Sequence, residues 1–459
     1  MAITSESLFP GEKVPFSYGC HPKFEYSYKK FYKEMSRRCR KGEFYEGDRV
    51  SLANIPKVGN IYLVPRDRYM TVIDELGDIV AVGNLDKAMF PFSSCDFYAD
   101  IFEDEYFKYL LGYAFYRLGE VSQLGYLVPP RPEDWNPAVS ISYYVPAFPH
   151  TRWAHSRLVA FIMEAILALH GFTEKERLPM FLTAAYHDAA IPAGGDSIKR
   201  VNMEELDEEN NFEWLLNYHG LAEKWSKEYG FDIEKAKQWV KSQGVFGRLL
   251  DAVDKMAYTA LDCYYVGANR PSKVRSLGLQ NPLVMDVWKD IKINEDRSDW
   301  AFTNPDRLFN FLLFRAYEHV DLLMNPYSRA LDFFLTKLVQ PLYEKGVITK
   351  EQLLTHGDNW LQDVLKASYP GRNVWVIIEP ELISWKKFDT LEQFKKFCSE
   401  NKEADHTEYI KGFNTGMDFK VYDGNKITSA KKVFSSEQIK ELEEANRQVK
   451  GYYIYYAKE

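Results

Sequence analysis

The chain has 459 residues, a formal net charge of −8 and a sequence pI of about 5.8. That length allows one large domain with appendages or two to three domains. The acidic balance argues against a protein that coats nucleic acid through broad positive charge, so an anionic ligand would need a local cluster of Arg, Lys and metal. The five cysteines (Cys20, Cys39, Cys95, Cys263 and Cys398) form no CxxC pair. They read as free thiols in a reducing compartment, not as a disulfide frame or a thiolate zinc site. No basic stretch followed by an apolar run opens MAITSESLFPGEK, and no apolar run approaches the roughly 18 residues of a membrane span. A cytoplasmic protein with no membrane partner is expected.

Residues 1–102 read as a mixed region. GNIYLVPRDRYMTVIDELGDIVAVGN is rich in Val, Ile and Tyr and broken by Asp and Gly, which predicts short strands and turns. Residues 103–368 read as a helical core. WAHSRLVAFIMEAILALHG predicts a buried helix ended by Gly171. FTEKERLPMFLTAAYHD follows, with Thr173 and Glu176 spaced as a capping box and Pro179 expected to restart the helix. FGRLLDAVDKMAYTALDCYYVG predicts a third long helix, and the stretch from Asp306 to Gly346 one or two more. LVPPRPEDWNP (127–137) and PAGGDS (192–197) read as inserted loops, the second as a flexible turn. Residues 369–459 read as an α/β appendage. NVWVIIEPELISW and GYYIYYA are its strands, LEQFKKFCSE and SSEQIKELEEANRQV its helices, and KVYDGNK a hairpin on an Asp-Gly turn. The fold class expected is mainly α, with small α/β appendages at both ends.

Of the nine histidines, His21, His219, His356 and His406 sit in polar segments and read as surface residues. His170, ahead of Gly171, reads as a partner of a helix C-terminus. His155 and His187 stand out. His155 lies near the start of an apolar helix, three residues after Arg152. His187 is followed by Asp188 where a helix ends, so both side chains can reach one ion. Asp254, Tyr258 and Asp262 recur at i, i+4 and i+8 on one inward face. Carboxylates there are costly unless paired or metal-bound. A lone His-Asp dipeptide is common by chance. A histidine on one helix, a His-Asp pair ending the next and an Asp on a later helix is much less so.

The order H…HD…D resembles that of HD-domain metal-dependent phosphohydrolases, in particular their deoxynucleoside triphosphate triphosphohydrolase branch. The resemblance covers roughly residues 105–365. FYRLGEVSQLG is similar to the family's FQRLRxIxQLG, YYVPAFPHTRWAHS to YxVFPGAxHTRFEHS, and VDKMAYTALD to VDKxDYxxRD. FLLFRAYEHVDLLMNPYSRA resembles the helix that ends in the family's Y-x-H-P-like stretch. The resemblance implies a helical HD core in which His155, His187, Asp188 and Asp254 bind one divalent metal ion (Mn, Fe, Mg, Zn, Co or Ni). Arg152, Lys255 and Arg315 would contact phosphate. Gln123, Leu124, Tyr258 and Asp262 would lie by the sugar, and Asp262 would read its 3′-hydroxyl. Arg117 matches the first arginine of QRLR, although Gly119 replaces the second.

The likeness breaks after the His-Asp pair. The family runs HDxGHxPFxH, whereas HDAAIPAGGDSIK places Ile191 and Asp196 where histidines stand, and Lys199 near an expected acid. LDEENNF resembles the FEGN landmark, which would make Glu208 and Asn210 its Glu and Asn. Asp196 or Glu208 is then the candidate catalytic base. The function implied is hydrolysis of a deoxynucleoside triphosphate to deoxynucleoside and triphosphate. The alternatives are a phosphatase acting on nucleoside monophosphates or other phosphoesters, and a nucleotide-sensing module. The partners expected are the nucleotide and further copies of the chain, with no strong sign of nucleic-acid binding.

Overall fold

The computed structural model describes the backbone of residues 50–55, 59–66, 69–73 and 79–84, together with residues 113–123, 151–265, 287–370, 383–400, 406–424 and 426–457. Leu124, the proline-rich stretch 127–137 and residues 373–382 of the first predicted tail strand lie outside these. The chain divides into two compact units, Met1–Tyr116 and Arg117–Glu459. In the first unit, β1 (Val50–Ile55), β2 (Gly59–Arg66), β3 (Tyr69–Ile73) and β4 (Ile79–Asn84) form an antiparallel meander in chain order. The strands predicted between residues 59 and 84 are therefore present.

The second unit is built of helices, and 65% of the described residues as a whole are helical, so the fold is mainly α. Its central pair is α1 (Arg152–Leu169) and α2 (Glu174–Tyr186). From Leu158 to Leu167 the residues of α1 are buried, as expected for a helix that is apolar all round. The chain leaves α1 at Gly171, whose φ of 71° suits glycine. The backbone N–H and hydroxyl of Thr173 both donate to the Glu176 carboxylate at 2.8 Å and close the start of α2. The expected break at Pro179 does not occur: α2 runs through it. Only the carbonyl of Lys175 loses an intrahelical donor there, and Lys175 is exposed, so water can satisfy it.

After α2 come the single turn α3 (Asp196–Lys199), then α4 (Glu208–Tyr218), α5 (Leu221–Tyr229), α6 (Ile233–Val240) and the long α7 (Gly244–Tyr265). Helix α1 packs on both α2 and α7. Beyond them lie β5 (Ile291–Ile293), β6 (Trp300–Phe302), α8 (Pro305–Glu318), a π turn at His319–Leu323, α9 (Pro326–Glu344), α10 (Lys350–Thr355) and α11 (Asp358–Ser368).

The C-terminal elements include the predicted helices, hairpin and last strand, and add a strand at His406–Ile410 that was not predicted. They are β7 (Ile383–Phe388), α12 (Leu391–Glu400), β8 (His406–Ile410), β9 (Lys420–Asp423), β10 (Lys426–Ser429), α13 (Ser436–Val449) and β11 (Gly451–Ala457). Strand β11 is the centre of a three-stranded sheet, β7-β11-β8. The β9-β10 hairpin joins β6 and β5 through a parallel pairing of Phe302 with Val421. Tyr453 and Tyr455 of β11 and Ile410 of β8 belong to the same buried cluster as Leu338 and Val339 of α9 and Leu361 of α11. The tail thus contributes to the helical core.

Candidate metal centre

Three helices bring the expected ligands together. His155 lies one turn into α1, His187 caps α2 in helical conformation, and Asp254 lies midway along α7. His155 Nε2 is 2.9 Å and His187 Nε2 3.5 Å from Asp254 Oδ1. One donor atom from each of these residues falls within 4.8 Å of the others. Asp188 stands beside them, with Oδ1 3.4 Å from His187 Nε2 and Oδ2 3.6 Å from His155 Nε2. His155, His187 and Asp188 are all buried.

These residues fit a divalent cation. Nδ1 of His187 lies 2.7 Å from the Ala184 carbonyl, so that nitrogen carries a proton and Nε2 is the one that faces the cluster. Nε2 of both histidines is buried and lacks a hydrogen bond of proper geometry. Two imidazoles with carboxylate oxygens suit Mn, Fe, Zn and similar ions. Burial lowers the pKa of His155. For His187 burial acts the same way, but Asp188 and Asp254 outweigh it and raise the value to about 9. Burial opposes ionisation of Asp254 too, yet the two imidazoles hold it well below the usual carboxylate range.

A chain of charges leads away from the cluster. Arg152 Nη1 donates to Asp188 Oδ2 at 2.7 Å, and Arg152 Nη2 pairs with Asp196 Oδ2. Lys199 Nζ lies 2.6 Å from Asp196 Oδ1 and 2.6 Å from Glu208 Oε2. The Asp196 side chain is 60% exposed. Burial among its neighbours opposes ionisation, yet Lys199 and Arg152 outweigh it and hold the carboxyl below the usual range. Glu208 is enclosed, and burial pushes it up to about 7 against the pull of Lys199. Lys199, which the sequence reading noted only as standing near an expected acid, links the two carboxyls. Its i+3 spacing from Asp196 was the available signal.

The remaining expected residues divide. Arg315 donates from Nε to the hydroxyl of Tyr258, beside Asp262 on the same face of α7. Burial pushes Asp262 up to about 7, and burial and Asp262 also raise its neighbour Glu318 well above the usual carboxylate range. Gln123 is buried next to the Ser122–Thr151 bridge that opens α1. Three residues make other contacts. Arg117 clamps the carbonyls of Ala189, Ile191 and His356. Lys255 pairs with Asp251 one turn back, and exposed Asn210 accepts from Lys241 at 3.1 Å. The PAGGDS turn is also not a loose insertion. Residues Ile191 to Gly195 are buried, Ala193 N–H donates to Leu353 O at 2.8 Å, and Gly194 N–H donates to Asp358 Oδ1 at 2.7 Å.

Fold and cluster together define a helical protein with a buried two-histidine, carboxylate-rich centre. No protein-family model and no curated protein matches the chain. Solved structures do share the fold. A hypothetical protein from Aquifex aeolicus is 18% identical with a TM-score of 0.57, over 76% of this chain and 91% of that one. A phosphohydrolase from Bacteroides thetaiotaomicron is 15% identical with a TM-score of 0.56, over 77% of this chain and 95% of its own.

Proposed function

We propose that the chain is a metal-dependent phosphohydrolase of the HD type whose substrates are deoxynucleoside triphosphates. The observation that carries this reading is the meeting of His155, His187 and Asp254, carried by three separate helices, with Asp188 alongside. The shared fold with a bacterial phosphohydrolase supports the reaction class. The H…HD…D order and the flanking motifs support the substrate class.

His155, His187, Asp188 and Asp254 would hold the cation, which when bound polarises a phosphoryl oxygen and acidifies a water. Arg152 stands beside Asp188, so its guanidinium can neutralise charge that develops at phosphorus. Glu208, near pH 7 in its titration, is the better proton carrier of the two candidate carboxyls, because Asp196 stays ionised between two cations. The Tyr258, Asp262 and Arg315 face extends the same wall of α7 toward α8, where a sugar hydroxyl would be read.

One observation favours a second reading. Ile191, at a position where the family has histidine, is wholly buried, so no imidazole supplies proton transfer there. A nucleotide-binding module with little turnover would bind deoxynucleoside triphosphates and release no product. Incubating the Mn²⁺-loaded protein with each of the four deoxynucleoside triphosphates, followed by chromatography, separates the cases. Deoxynucleoside plus triphosphate is the expected outcome. Orthophosphate from a monophosphate would instead mark a phosphatase. Asp188→Ala should lose both metal and activity, and an unchanged rate would reject the site.

A further inference from the structure

The one-turn helix α3 is too short to hold itself together, since four residues barely close one hydrogen-bonded turn. Yet it carries two charges on one face, Asp196 and Lys199, toward Arg152 and Glu208. Its opposite face is tied into a separate buried polar network. Ser197 Oγ donates to Asp332 Oδ1 at 2.5 Å, and Thr336 Oγ1 donates to the Ser197 carbonyl at 2.9 Å. Arg200 lies 3.8 Å from both Asp332 and Glu408. Arg329 bridges the same two carboxylates, 3.4 Å from Asp332 Oδ2 and 2.7 Å from Glu408 Oε2. Tyr455 of β11 donates to Glu408 Oε1 at 2.7 Å. Three elements far apart in sequence, α9, β8 and β11, thus meet behind one helical turn.

Such a network is a poor source of stability. Desolvating two carboxylates and an arginine roughly cancels their attraction, and well-packed apolar side chains would do as well or better. What a network of fixed hydrogen bonds does supply is a single geometry. Ser197 and Asp332 are almost wholly buried, so the turn has little freedom to slide.

We propose that Asp332, Arg329 and Glu408 are positioning residues, which act through Ser197 and Arg200 to fix the Asp196–Lys199 pair against Arg152 on the anion side of the metal cluster. The C-terminal sheet is then part of the reaction apparatus. This inference rests on the phosphohydrolase reading for its chemistry, but its test does not depend on turnover.

The probe is inorganic triphosphate, titrated calorimetrically into the full chain loaded with Mn²⁺. Ser197→Ala, Asp332→Asn and Glu408→Gln are compared with the unaltered chain, and metal content and thermal unfolding are recorded for each. Ser197→Ala removes one hydroxyl and leaves the ion network intact, so it remains informative if the charge variants fail to fold. The expected result is triphosphate affinity weakened by roughly tenfold with metal content unchanged. Where the chain hydrolyses a substrate, kcat should fall by about 100-fold with a much smaller change in KM. Hydrogen exchange at residues 194–200 should rise without a change in α1 or α2. Unaltered triphosphate affinity in all folded variants overturns the proposal and leaves the phosphohydrolase reading standing. No hydrolysis by the parent chain, with affinity lost in the variants, rejects the reading and keeps the positioning role. A parent chain that binds no triphosphate overturns the proposal.

Discussion

Asp262 on α7 and Glu318 at the end of α8 are two buried carboxyl groups that face each other's charge. Burial raises Asp262 from 3.8 to about 7, so the folded chain holds a proton that the unfolded chain releases. The stability due to this proton is full below about pH 4 and is lost as pH rises through about 7. Replacing Asp262 by Asn should flatten the fall in melting temperature across that window, and it also relieves the repulsion that raises Glu318. An unchanged slope would place the titration elsewhere. Glu208 supplies a second test. Glu208→Gln removes one of the two carboxyls that burial raises to about 7, so a rate limb near that pH that vanishes in Glu208→Gln but persists in Asp262→Asn assigns it to Glu208, with metal content constant.

At this scale the candidate ligands were the most legible part of the sequence. Their residue types are those a divalent ion would require, and their order follows the helices that carry them. Lys199, Asp332 and Glu318 were not legible as a group. Ser197 and Asp332 lie 135 positions apart, and nothing local in either segment announces the pairing. Asp358 escaped notice for the same reason: its carboxylate accepts from the backbone of Ser122 and of Gly194, at distances of 236 and 164 residues.

Among the elements, the turn between α2 and α3 is where reading by composition failed. Two glycines and a proline signal a loop, and loops are commonly exposed. Here the backbone donors are satisfied by Asp358 and Leu353, so the turn can be buried. Gly194 has a φ of 84°, and a Cβ on it would lie 2.6 Å from Ile198 Cγ1 and 3.0 Å from Leu361 Cδ2. Gly194→Ala should therefore destabilise the protein by about 1–3 kcal/mol, measurable by urea unfolding. It should also loosen α3, which begins two residues later. A neutral outcome would show that Ile198 yields without strain. Pro179 teaches the converse. A helix tolerates proline where the carbonyl one turn earlier faces water, and residue identity alone does not reveal that.

Over the whole molecule, the helical pattern, the long central helices and the C-terminal strand and helix order could be read from periodicity and turn residues. How the tail joins the core could not, because the joining contacts are between residues remote in sequence. Tyr453 and Tyr455, 1% and 0% exposed, fill space among the helices of the second unit. Removal of residues 383–459 should leave that space open and give a chain that is rapidly proteolysed and fails to retain metal. Recovery of a protease-resistant, metal-bound core would show that the helices suffice.

The place of β11 also has a consequence for biosynthesis. A ribosome delivers the helices that carry His155, His187 and Asp254 well before Tyr455 of β11, and domains tend to consolidate from the N-terminal side as they emerge. During that interval the nascent chain can gather its histidines but cannot yet brace the turn that bears Asp196 and Lys199. If that bracing positions the pair as proposed, completion of the centre would wait for β11.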